Sequence, residues 1–227
     1  MAAAVPDALA PPQTGGVDCL YVDDDLLVLA KPSGLLCVPG RGPDKQDCLS
    51  HRAQQQWPGA LVVHRLDQAT SGLVLMARHL DAQRRMSHAF AERQVHKRYQ
   101  AIVAGHMAAP THGDWAEINL PIAADWERRP LRVIDPVLGK PSLTRWRALA
   151  HDESAHTTRI ELEPVTGRTH QLRVHLAAVG HAILGDALYA DAVIHAQHPR
   201  LLLHAAWLAF EHPATGQRIE ISLPAPF

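Results

Sequence analysis

The sequence predicts an α+β fold built on a mixed, mostly antiparallel sheet with flanking helices. Three observations lead there. Many short apolar runs of strand length are punctuated by Gly, Pro and Asp turns, hairpin patterns stand at both ends of the chain, and few segments show helical periodicity. A chain of 227 residues holds one substantial core, or two lobes sharing one. Its composition, 47% hydrophobic and 20% charged, is that of an ordinary globule, and no apolar run approaches the roughly eighteen residues that cross a bilayer. Residues 1–16, rich in Ala, Pro and Gly without a basic start, read as a flexible leader rather than a signal peptide, with one domain expected over residues 17–227 and no membrane partner. Cys19, Cys37 and Cys48 form no C-x-x-C pair, which suits a reducing cytoplasm.

The elements follow in order. Asp18-Cys19-Leu20-Tyr21-Val22, the acidic turn Asp23-Asp24-Asp25 and Leu26 to Ala30 read as a hairpin, which Lys31-Pro32-Ser33-Gly34 ends because proline cannot continue a ladder. Asp47 is placed to cap a helix running to about Trp57, where Pro58-Gly59 stops it. Ala82, Met86, Ala89 and Phe90 fall at helical spacing, and Lys97 to Gly105 is strand-like with Tyr99, Ala101 and Val103 on one face. Residues 108–139 read as loop-rich, with a basic cluster, Arg128, Arg129 and Arg132, beside Trp126. Such a cluster suits single-stranded RNA, or else it is a solvated face around a structural tryptophan. Strands are expected at about 142–149 and 157–162, then a helix from Thr169, its candidate N-cap, to Gly180, with Leu172, Leu176 and Val179 as its apolar stripe. Leu201 to Phe210 and Gln217 to Leu223 close the chain as a hairpin.

Chemistry concentrates at one elbow. Leu61-Val62-Val63 and Leu73-Val74-Leu75-Met76-Ala77 bracket His64-Arg65-Leu66-Asp67-Gln68-Ala69, with Thr70-Ser71-Gly72 supplying the turn. Asp67 therefore sits on a loop pinned by the core at both ends. An isolated loop aspartate more often caps its own backbone than reacts, so the residues around it have to decide. The string His64-Arg65-Leu66-Asp67-x-x-Thr70-Ser71-Gly72 resembles the signature of the RluA family of pseudouridine synthases, as do Lys31-Pro32-x-Gly34, Gly167-Arg168-Thr169-His170-Gln171-Leu172-Arg173-x-His175 and Gly185-Asp186-x-x-Tyr189.

That resemblance, which runs from about Tyr21 to Phe227, implies the pseudouridine synthase fold, a bent sheet with a central RNA cleft. It leaves no room for the N-terminal S4-type domain of larger members. It implies that Asp67 is the essential catalytic carboxylate, that Tyr99 stacks on the target base, that Arg168 is the cation forked onto Asp67, that Arg65 helps hold a flipped arrangement, and that Leu172 contacts the ring. A carboxylate in a cleft that excludes water needs such a cation to stay charged. A single carboxylate serves this isomerisation as nucleophile or as base, so no cofactor and no metal are expected, and the two routes stay open for Asp67. The partners implied are structured RNAs, the tRNA anticodon stem-loop at uridine-32 and a 23S rRNA hairpin at uridine-746, met by a monomer.

Two other classes compete with this one. A metal-dependent hydrolase would draw on His170, His175 and His181, but His170 and His175 are five apart and no His-Glu-x-x-His occurs. A non-catalytic RNA binder would show aromatic-rich sheet motifs or Gly-x-x-Gly loops within basic runs. The net charge of −1 counts against both it and any RNA partner, unless the charges are unevenly distributed. No P-loop or dinucleotide fingerprint is present.

Overall fold

The computed structural model describes residues 16–108 and 115–227; the leader expected over 1–16 lies outside them but for Gly16. Strands β1 (Asp18–Val22) and β2 (Leu26–Lys31) form the predicted hairpin, and Asp23 shapes its turn by accepting the Asp25 and Leu26 N–H groups. Helix α1 (Leu49–Gln56) starts two residues after Asp47; Cys48 takes the N-cap position, and Asp47 pairs instead with Arg52. A two-residue strand β3 (Leu61–Val62) leads into the elbow, and β4 (Ser71–Ala77), buried along its whole length, leaves it.

Helix α2 (Leu80–Ala91) buries Ala82 and Met86, as its periodicity demands. It is followed by β5 (His96–Ala104). Of residues 108–139, expected to be loop-rich, 109–114 lie outside the described residues, and the described part holds β6 (Ala116–Asn119), β7 (Ile122–Ala124) and β8 (Arg132–Ile134), three strands too short to give a periodic signal. The chain continues through β9 (Leu143–Asp152), β10 (Thr157–Pro164), α3 (Gln171–Ala178), a short α4 (Ala192–Ala196), β11 (Leu203–Glu211) and β12 (Arg218–Ser222).

Ten strands form one sheet in the order β1-β2-β4-β11-β5-β10-β9-β6, with β12 beside β11 and β3 beside β4, while β7 and β8 pair separately. Among the described residues the strands pair antiparallel except β4 with β11. This is the mixed, mostly antiparallel sheet expected. The parallel contact is where Gly72 is needed: its φ is 115°, and a Cβ there would lie 2.3 Å from the Ala205 carbonyl oxygen. The turn of the elbow is thus Asp67 to Thr70, closed by the Thr70 N–H donating to the Asp67 carbonyl at 3.1 Å, and Ser71-Gly72 already belong to the strand. Glycine serves close approach of two backbones there, not the reversal.

Three apolar clusters back the sheet, and Tyr99 packs against two of them, one around Ile160, Leu176 and Leu203, the other around Leu29, Leu49 and Met76. The elbow and β5 therefore meet at the seam of the core. No helix among the described residues is long and apolar enough to cross a membrane.

Candidate active site

The elbow is held from below by the turn that follows β2. Lys31 is only 2% exposed, and its ammonium donates to the carbonyls of Pro32 and Leu35 at 2.8 Å and of Gln68 at 3.0 Å. Burial pulls its pKa down to about 8, against the attraction of Cys37 and Asp67. Around it the Gly34 N–H donates to the Gln68 carbonyl, the Gln68 amide returns a bond to the Gly34 carbonyl, and Ser33 Oγ donates to Ala69. Lys-Pro-x-Gly thus does more than end a strand: it locks the backbone just after Asp67. His64 locks the other side, its Nε2 accepting the Leu75 N–H at 3.0 Å and its ring stacked on Phe90. Burial pushes its pKa down to about 3, so it stays neutral.

The cation facing Asp67 is Arg173, not Arg168. Its Nη1 lies 3.6 Å from Asp67 Oδ2, while Nε and Nη2 fork onto Asp186 at 2.8 and 2.6 Å. Both partners of that fork are buried, Arg173 at 4% exposure and Asp186 at 0%. Asp186 also accepts the Leu188 and Tyr189 N–H groups. Although burial opposes it, the carboxylates hold the Arg173 pKa above its ordinary value, so its charge is permanent. The expected Arg168 is exposed and donates through Nε and Nη2 to the Pro141 carbonyl, each at 3.4 Å.

The reason is the start of α3. His170 adopts the left-handed region, φ 57°, an uncommon conformation for a residue with a Cβ, and the helix begins at Gln171. Thr169 is therefore not the cap. His170 holds the cap position without a side-chain bond, and Gln171, the first helical residue, ties the loop before it to β9: its Oε1 accepts the Arg168 N–H at 3.0 Å and the Thr166 hydroxyl at 2.7 Å while its Nε2 donates to Leu143 and Thr144. The helix is buried from Gln171 to Leu176, whereas Val179, assigned to its apolar stripe, is 39% exposed. Residue 173 then points inward and residue 168, before the helix, stays at the exposed rim of the cleft.

Gly185-Asp186-x-x-Tyr189 completes the site from below. Gly185 has φ 72°, and a Cβ there would lie 1.9 Å from the Arg200 carbonyl, so the chain passes close enough to bring Asp186 under Arg173. Tyr189 Oη pairs with His170 Nδ1 at 2.6 Å and accepts the Arg132 N–H at 3.0 Å. His170 Nε2 stands 3.9 Å from Asp67 Oδ1. Burial lowers its pKa, opposed by Asp67. His175 pairs with Thr144 and the Leu120 carbonyl, and His181 with the Ala104 carbonyl, so the three histidines weighed as ligands point to separate partners.

Tyr99 projects into the same cleft, where burial, then Asp67, push its phenol well above the ordinary range; it is a neutral ring. Leu172 is buried at the wall and Arg65 exposed at the rim. The basic turn between β7 and β8 stands further out: Arg128 pairs with Asp125, Arg129 stacks 4.1 Å over the 71% exposed Trp126, and only Pro130 of that turn lines the cleft.

The cleft measures about 1120 Å³, above the roughly 300–1,000 Å³ of small-molecule pockets. Among the described residues five cations line it, Arg65, Arg93, Lys97, Arg168 and Arg173, against one carboxylate, Asp67. A chain of net charge −1 thus presents a cationic cleft, which removes the charge objection to an RNA partner. The arrangement offers one carboxylate, aimed by a buried arginine, beside a neutral aromatic platform.

Residues 25–178 match the family model described as RNA pseudouridylate synthase. The chain is 44% identical over 217 residues to the dual-specificity RNA pseudouridine synthase RluA of Pasteurella multocida, covering 96% of this chain and 97% of the relative. To its Escherichia coli K12 counterpart it is 43% identical over the same shares. Among solved structures, human RNA pseudouridylate synthase domain containing 1 superposes with a TM-score of 0.78 at 30% identity, over 96% of this chain and 87% of that one.

Proposed function

Since the chain belongs to the RNA pseudouridylate synthase family and is an RNA-modifying isomerase, we propose that it converts uridine-32 in the anticodon stem-loop of tRNAs and uridine-746 in a 23S rRNA hairpin. The observation carrying this reading is Asp67 on a locked loop beside Arg173, in a cleft lined, among the described residues, by five cations and one carboxylate. The likeness over nearly full length to relatives named for dual specificity supports the choice of RNAs.

In the proposed reaction the N1–C1′ bond of uridine breaks, the base turns, C5 joins C1′, C5 loses its proton and N1 gains one. Asp67 is the nucleophile or base, and Arg173 keeps its charge and aims its oxygens. The uracil, extruded from its stack at a cost of about a few kcal/mol, lies on Tyr99 and against Leu172. Arg65 holds the opened nucleotide, and Arg168, Arg128, Arg129 and Arg132 meet the phosphates of the surrounding stem. The enzyme acts as a monomeric single domain in the cytoplasm, a setting supported by the free thiols of Cys19, Cys37 and Cys48.

Pseudouridine mapping of total RNA from cells with and without the gene tests this. Loss at both positions is expected. Loss confined to another ribosomal or tRNA site would overturn the substrate assignment, and no lost site would count against the activity in the cell.

A further inference from the structure

The cations of the cleft differ in what engages them. Arg173 is committed to Asp186 and Asp67, and Arg168 reaches the Pro141 carbonyl. The remaining three, Arg65, Arg93 and Lys97, line the cleft along the elbow and the passage from α2 to β5, and among the described residues none of them has an ion pair with a carboxylate. Glu92, next to Arg93, does not line the cleft.

Lys97 is the informative member. Its ammonium sits 5.4 Å from the centroid of Phe90, and burial lowers its pKa. The other face-mate of Phe90 is His64, which is neutral and engaged with Leu75. A half-buried ammonium without an anion is costly, and the cost is relieved when a ligand brings the charge. Lys97 is two residues before Tyr99 on β5, on the same cleft-lining face, so the two side chains emerge about 7 Å apart along the strand. A base lying on Tyr99 has its backbone within reach of Lys97. Arg93 comes to the same rim because the chain leaves α2 through a left-handed residue there, φ 60°.

We propose that Lys97, Arg93 and Arg65 form a seat for the phosphate adjoining the target uridine, gripping the opened backbone while Tyr99 carries its base. This rests on the pseudouridine synthase reading of the cleft and deepens it: the three residues fix where along the strand the flipped nucleotide stops.

The test uses an RNA hairpin that the wild-type protein isomerises, the anticodon stem-loop first, prepared unmodified and with a neutral methylphosphonate at either phosphate flanking the target. For the wild type, one of the two positions should weaken binding by roughly tenfold, the worth of one charge-assisted contact, and reduce the slope of log affinity against log salt by about 0.7. Lys97→Met should show the same loss on unmodified RNA and no further loss on that methylphosphonate, while Lys97→Arg keeps the wild-type slope. Arg93→Asn, at an exposed position where asparagine accepts the left-handed backbone, provides the same cycle if Lys97→Met fails to fold. The seat is overturned if neither methylphosphonate weakens the wild type, or if one weakens wild type and variants by equal factors. If the wild type isomerises neither the stem-loop nor the 23S hairpin, the substrate reading fails first, and that result is seen before any variant is made.

Discussion

Replacing Arg173 by Met tests whether one buried guanidinium serves both stability and reaction. The substitution keeps the length and apolar stem but removes the fork onto Asp186 at 2.6 and 2.8 Å and the cation 3.6 Å from Asp67. Asp186, with 0% exposure, keeps two backbone N–H donors but loses its counter-charge. Breaking a buried pair from one side costs about 3–5 kcal/mol. At about 2–4 °C per kcal/mol for a chain of this size, the melting temperature should fall by roughly 10 °C. Removing both charges, as in Arg173→Met with Asp186→Asn, should recover much of that loss, since replacing both members of a buried pair is far milder than orphaning one. Turnover should not recover, because Asp67 still lacks its partner. Thermal melts and single-turnover pseudouridine formation, measured on wild type, single and double variants, separate the two roles. A double variant that regains turnover within tenfold of wild type would show that Arg173 acts only through the fold, and a single variant as stable as wild type would refute the energetic argument.

Three further outcomes are expected. Asp67→Asn keeps the shape of the loop but removes the charge, so isomerisation should disappear while hairpin binding remains measurable; residual turnover within tenfold of wild type sinks the role given to Asp67. Gly72→Ala forces a Cβ to 2.3 Å from the Ala205 carbonyl at φ 115° and should cost several kcal/mol in denaturant titrations, about the range of strain plus a lost strand contact; a near-neutral change would mean that β4 and β11 part easily. Burial lowers the pKa of His64 to about 3 and of His204 to about 4, below the ordinary value of 6.5, so the unfolded chain binds protons that the fold refuses. Stability from these two rings is complete above about pH 6.5 and is lost as the pH falls toward 4 and 3. Melting temperatures that stay level from pH 7 to pH 4 would contradict it.

The elements that announced themselves in the sequence are those whose cause is local. The β1–β2 hairpin follows from two strand-length runs around an Asp turn, α2 from Ala82 and Met86 one helical turn apart, and Asp67 from a contiguous string around an elbow. What α3 presents to the site is different in kind. Both Arg168 and Arg173 stand in the same signature, and the sequence offers no local reason to prefer the second. The choice is made by His170 entering the left-handed region and by Gln171 tying the start of α3 to β9, which turns residue 173 toward Asp67 and leaves residue 168 at the exposed rim of the cleft. Asp186 and Tyr189, visible as a third motif, acquire meaning only because Gly185 lets the chain pass under that helix. Likewise Gly72 reads as a turn residue until β11, more than a hundred residues later, is laid against it. Net charge misled for the same reason: it is a sum over the chain, whereas the fold gathers Arg65, Arg93, Lys97, Arg168 and Arg173 in one cleft around, among the described residues, one carboxylate. Local pattern determined the longer strands, the helices α1 and α2 and the elbow that carries Asp67. Long-range packing decided which cation faces it and where the positive charge collects, since those depend on which distant segments share a wall.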